Sequence, residues 1–146
     1  MKVCGEDVYK ECLAEMYKIL SPNDIDKYIS LFNGQPKFVL TKVRAILRVA
    51  LPKATEEIDK DMLSFWQGGT LIHFSASKTH LEIHVTPSCV KAFAGRLARG
   101  YDCSYRYSIE SGTIFFPYKE LIPYSLIVEI AEFRVKEVRK KKKNNG

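Results

Sequence analysis

Apolar residues recur at three- and four-residue steps near both ends of the chain and at every second position in its middle, which divides the sequence into helices and strands. Val8, Cys12, Met16, Ile19 and Leu20 share one stripe and predict a first helix over 6–20. Ser21, Pro22 and Asp24 read as a cap, a first-turn proline and a nearby acid, starting a second helix that runs to Phe32. Asn33 and Gly34 stop it, and Pro36 opens a third helix with Val39, Val43, Ile46, Leu47 and Ala50 on one face before Pro52 closes it.

The period then falls to two. Glu57–Trp66, Leu71–Ala76 and Leu81–Val85 read as three extended segments, with turns at Gly68-Gly69 and Lys78-Thr79. Thr86 and Pro87 begin a helix carrying Val90, Phe93 and Leu97 that ends at Gly100. Cys103–Ile109 and Thr113–Phe116 form a hairpin in which a two-residue turn at Ser111-Gly112 pairs Ile109 with Ile114 and Tyr107 with Phe116. Pro123 starts the last helix, with Leu126, Ile127, Ile130 and Phe133 facing inward.

This order predicts an α+β fold: one antiparallel sheet of about five strands, covered by helices on one face and open in part on the other. Residues 1–138 are expected to form a single domain. The lysine run over 139–146 offers no apolar face and is expected to be a disordered basic tail.

Composition sharpens the picture in two places. The formal net charge is +6, and Arg139 to Lys143 supply five of those charges, which leaves the body at +1 and argues against a nucleic-acid-binding face there. The tail is then a solubilising extension or a segment that docks on RNA or an acidic partner. No run approaches the roughly 20 apolar residues of a membrane span, and the stretch around Glu6 and Asp7 lacks the blocks of a signal peptide. The expectation is a cytoplasmic protein with no membrane partner. Cys4, Cys12, Cys89 and Cys103 are widely spaced and read as free thiols, with Cys12 and Cys89 on packed helix faces. The chain contains no nucleophile elbow, P-loop, dinucleotide fingerprint or zinc-finger spacing.

Candidate chemistry gathers around the histidines. With Lys78 and Thr79 at the centre of the turn, Ile72 pairs with Val85, Phe74 with Ile83 and Ala76 with Leu81, so every apolar pair shares one face. On the other face His73 opposes His84, Ser75 opposes Glu82 and Ser77 opposes His80. Opposed Cβ atoms stand about 4.5–5.5 Å apart, close enough for His73 and His84 to share a divalent cation with Glu82 one diagonal step away. The same residues also suit a solvated strand face. Asp7, Glu11 and Glu15 on the first helix are a second, acidic candidate, and Glu57, Asp59 and Asp61 alternate along the first strand. Tyr101, Tyr105, Arg106 and Tyr107 interleave aromatic and basic side chains, although alternation assigns Tyr105 and Tyr107 to packing.

Several local patterns together resemble the YdhG-like family, a bacterial domain of unknown function with one member described as a frataxin-like intracellular iron chaperone. They are Ile25-Asp26-Lys27-Tyr28-Ile29 before a helix ending Ala50-Leu51-Pro52, Leu71-Ile72-His73-Phe74-Ser75-Ala76 with His80 after the turn, and Thr86-Pro87-Ser88. Ser111-Gly112-Thr113-Ile114 with Phe116-Pro117, then Ile122-Pro123 and Phe133-Arg134, complete the set over about Asp24 to Val138. The resemblance implies a frataxin-like arrangement of helices and sheet, iron or another divalent metal as ligand, and iron–sulfur or haem assembly proteins as partners. Family members often read Gly-Met-Pro-Thr-Phe where this chain has Asp61-Met62-Leu63-Ser64-Phe65, a change expected to straighten the first strand. Ser111 stands where a basic residue is common.

The sequence therefore reads as a non-enzymatic binding protein with a metal, and through the resemblance an iron-chaperone, role centred on His73, Glu82 and His84. One alternative is an interaction module for protein or nucleic acid that uses the open sheet face and the basic tail. The other is an enzyme using the same His and Glu residues as acid–base groups.

Overall fold

The computed structural model describes residues 25–59, 61–99 and 105–145. The expected first helix with Asp7, Glu11 and Glu15 lies outside them, as do Cys4, Cys12, Tyr101 and Cys103. The described elements are α1 (Ile25–Ser30), α2 (Gly34–Ala50), β1 (Thr55–Asp59), β2 (Met62–Trp66), β3 (Thr70–Ala76), β4 (His80–His84), α3 (Pro87–Arg99), β5 (Arg106–Ser108), β6 (Thr113–Pro117) and α4 (Tyr124–Asn145). Neighbouring strands are antiparallel, in the spatial order β1-β2-β3-β4-β6-β5, which makes the fold α+β as expected. Among the described residues, no helix is long and apolar enough to cross a membrane.

Six strands appear where five were expected, because the segment Glu57–Trp66 folds back on itself. Asp59 pairs with Met62, so the chain reverses between them, and Asp61 takes the turn at φ 67°. A short polar side chain tolerates this left-handed backbone better than most, so Asp61 turns the chain without glycine or proline. The expected straightening does not occur. Asp61 also leaves the strand row, where only Glu57 and Asp59 remain on a shared face. The Tyr28 hydroxyl donates to the Asp61 carbonyl and ties the turn to α1.

The β5–β6 hairpin is corrected by two residues. Tyr107 pairs with Ile114 and Ser108 with Thr113, leaving a four-residue turn over 109–112. That turn is closed by the Gly112 N–H donating to the Ile109 carbonyl at 3.2 Å, with Gly112 at φ 68°. Ile109 is consequently in the turn and 38% exposed rather than in the ladder.

Alternation places the large apolar strand residues on one face, with Ser64 and Thr113 the buried polar exceptions on the other. Leu63, Phe65, Ile72, Phe74, Leu81, Ile83, Ile114 and Phe116 are buried, in one cluster with Val39, Leu40, Val43 and Leu47 of α2, Val90 and Leu97 of α3, and Leu126, Ile127 and Ile130 of α4. Phe74 stacks on Phe65 with ring centroids 6.2 Å apart. Val85 and Phe133, expected inside, are half-buried at the margin, Phe133 lying edge-on to Phe93 at 5.7 Å. Thr86 caps α3 as predicted, its hydroxyl accepting from the Cys89 N–H at 3.2 Å.

Two ties fix the helices to the sheet. Arg44 of α2 donates to both Glu56 carboxylate oxygens of β1 at 2.7 and 3.1 Å and also reaches Asp26 of α1. Between β2 and β3 the register skips: Phe65 faces Ile72 while Trp66 faces Thr70, so Leu71 is an extra residue in a β-bulge. Arg134 of α4, only 8% exposed, donates to the Leu71 and Thr70 carbonyls at 2.9 and 2.7 Å.

The basic run, expected as a tail over 139–146, lies within the last helix as far as Asn145. Val135 and Val138 of α4 pack against the core margin. At the sides of the sheet, β1 carries Glu56, Glu57 and Asp59, and β5 has three residues.

Candidate functional site

The face of the sheet turned away from the core cluster is polar because the same alternation that buries Phe74 and Ile83 turns their neighbours outward. His73 stands opposite His84 and Ser75 opposite Glu82, in the register expected from burial. No residue of this face belongs to the hydrophobic core cluster.

Glu82 organises the row. Its carboxylate lies 3.1 Å from His84 Nε2 through one oxygen and 3.9 Å from His80 Nε2 through the other. The other ring nitrogen of His84 is 3.3 Å from the Thr113 hydroxyl. His80 Nδ1 meets the hydroxyls of Ser77 and Thr79 at 3.1 and 3.0 Å. His73 Nε2 stands 4.0 Å from the Asp59 carboxylate on the far side. The three imidazoles and Glu82 are each 23–30% exposed, so they are reachable from solvent yet oriented by neighbours.

The row extends further than the sequence indicated. Glu82 faces Phe115 across the β4–β6 ladder, the His80 ring packs edge-on to Phe115 at 5.4 Å, and the Arg106 guanidinium lies 4.6 Å above the same ring. A continuous band runs from Asp59 through His73, His84, Glu82 and His80 to Phe115 and Arg106. Asp59, Phe115 and Arg106 enter it through pairings with β1 and β6, and neither pairing could be read from the histidine hairpin alone. Tyr105 is buried, edge-on to Phe116 at 5.0 Å, and is no base-stacking platform.

Of the expected metal set, His73, Glu82 and His84 are brought onto one face and His84 directly onto Glu82. Among the described residues, however, no group of three or more His, Cys, Asp or Glu side chains is arranged to hold a metal ion. Cys89 is a buried free thiol, and burial pushes its pKa up to about 12, which suits packing and not redox chemistry.

The fold is similar to that of YdhG, a Bacillus subtilis protein of the DUF1801 family, with a TM-score of 0.68 and 19% identity over 77% of this chain and 88% of that one. An uncharacterised conserved protein from Lactobacillus casei aligns with a TM-score of 0.46 and 17% identity over 79% of this chain and 92% of that one. No family model matches the chain, and no curated protein matches it. The domain is therefore YdhG-like in fold, as the sequence patterns implied. Neither the frataxin-like label nor the iron role implied with it is supported by these likenesses.

Proposed function

We propose that this chain is a non-catalytic binding protein whose working surface is the polar sheet face, and that the ligand class it takes there is a divalent transition-metal ion. The observation that carries this reading is the Glu82–His84 contact at 3.1 Å with His80 and His73 on either side. Imidazole and carboxylate are ligand types that first-row divalent metals accept. The hydroxyls of Thr113, Ser77 and Thr79 fix the rings through their Nδ1 atoms, as outer-shell partners do for metal-ligating histidines. Metal capture requires Glu82 to leave His84 and the flanking imidazoles to turn inward, so binding is expected to be modest. Iron–sulfur or haem assembly proteins as recipients, and a cytoplasmic setting, belong to this proposal as its chaperone form.

The test is anaerobic calorimetric titration of ferrous iron and zinc into untagged wild type and a His73→Ala, His84→Ala double variant. Binding by wild type that is lost in the variant supports the site. Equal binding by both proteins removes it, and an absence of binding by either ends the metal reading.

A further inference from the structure

A second concave surface lies away from the histidine band, where the last turns of α4 pass the β2–β3 turn and the start of α3. It is an open hollow of about 890 Å³, within the range of small-molecule sites. Its wall is organised around Glu137. The carboxylate accepts from Arg134 Nη1 at 2.8 Å, from the Thr86 hydroxyl at 2.7 Å and from the Ser88 hydroxyl. Burial alone would raise the Glu137 pKa, but these bonds and the Arg134 charge outweigh it and hold the carboxyl below its ordinary range. A negative charge is thus already held here, beside the first turn of α3, by a guanidinium and two hydroxyls.

The cations exceed that charge. Lys141 and Lys142 follow Arg134, Glu137 and Val138 at helical steps, and with Lys140 they line the same cavity. None of the three lysines has an ion-pair partner among the described residues. With Glu137 set against Arg134, the three ammonium groups face one hollow without a carboxylate partner among the described residues. Gly68, at φ 75°, brings the β2–β3 turn so close that a Cβ there would stand 3.2 Å from Lys142 Nζ. The turn therefore packs closely against the ammonium group. Lys53, Lys136 and Arg139 line a separate cavity of about 410 Å³ together with Glu132, so the positive charge is divided between two hollows. A polymer backbone would need one continuous track.

We infer that this cavity binds the phosphate group of a small phosphorylated ligand, with Lys141 and Lys142 as its principal contacts and Lys140 at the rim. Mutual repulsion of the lysines is relieved by the bound anion, and a compact ammonium group suits phosphate recognition.

The experiment is calorimetric titration of inorganic pyrophosphate, at constant ionic strength, into the untagged full chain and a Lys141→Gln, Lys142→Gln double variant. Saturable binding by wild type, weakened about tenfold or more in the variant, is the expected result. Far-UV circular dichroism checks the variant's fold, and Lys142→Gln alone serves if the double change disturbs it. Absence of binding to wild type, or equal binding by both proteins, overturns the inference. A parallel titration with a single-stranded RNA oligonucleotide also decides: RNA binding without pyrophosphate binding makes the surface a nucleic-acid contact and overturns it as well.

Discussion

Arg134 donates its Nε to the carbonyl oxygen of Leu71 at 2.9 Å, and Leu71 is the residue that the β2–β3 ladder leaves over. A bulge frees a backbone acceptor, and a buried acceptor needs a partner. The guanidinium fork supplies it while also reaching the Thr70 carbonyl and Glu137. One side chain thereby fixes the irregular part of the sheet to α4.

Replacing Arg134 with Met should cost about 3 kcal/mol, since it strands two carbonyls and takes from Glu137 its guanidinium partner. Arg134→Lys should recover little of this, because one ammonium group cannot span acceptors placed for a planar fork. Urea denaturation of the three proteins measures both effects, and full recovery by lysine would show that charge alone matters.

Phe74 is fully buried and stacked on Phe65 in the middle of the sheet. Phe74→Ala should lower stability by about 3–5 kcal/mol through lost burial and the cavity left behind. A loss under about 1 kcal/mol in the same urea assay would contradict close packing at that site.

Two glycines separate backbone strain from steric conflict. Gly34 has φ 61° with nothing within 4 Å of an added Cβ, whereas at Gly112, φ 68°, that Cβ would lie 2.5 Å from the Val85 carbonyl oxygen. Gly34→Ala should cost about 1 kcal/mol from the left-handed backbone alone, and Gly112→Ala clearly more. Comparing the two melting temperatures checks the order, and equal losses would place the cost in the dihedral angle.

Glu137 gives a pH signature. Its folded-state pKa is lowered, so the stabilisation is fully present above the unfolded value and drains away as pH falls through the folded one. Glu137→Gln should therefore melt below wild type at neutral pH, and the gap should close on acidification. A gap that persists in acid would assign the effect to hydrogen bonding and not to charge.

The β3–β4 register was legible because sliding the hairpin by one residue mixes polar and apolar positions on both faces. The β5–β6 register was not. A two-residue slip keeps each side chain on its face, so Tyr107 can meet Phe116 or Ile114 with equal burial, and the geometry of Gly112 against Val85 decides. The break at Asp61 was hidden because the three polar residues Asp59-Lys60-Asp61 hold neither glycine nor proline, and only an Asp that tolerates positive φ marks the turn. In the candidate site, His73, Glu82 and His84 were legible from one hairpin, while Asp59, Phe115 and Arg106 depended on pairings between distant strands. Arg134 was inaccessible for a similar reason: its acceptors exist only once the bulge has formed. Charge repulsion along the lysine run suggests disorder, yet lysine is a good helix former and Val135 and Val138 anchor the turns before it.

The two lateral margins of the sheet bear on how copies of this chain treat each other. An incoming strand of a second molecule at β1 would meet Glu56, Glu57 and Asp59, with Glu56 already clamped by Arg44. At β5 it would find three residues, too short a template to recruit a neighbour. Each margin thus carries a feature that disfavours strand addition by a second copy, carboxylates at β1 and shortness at β5.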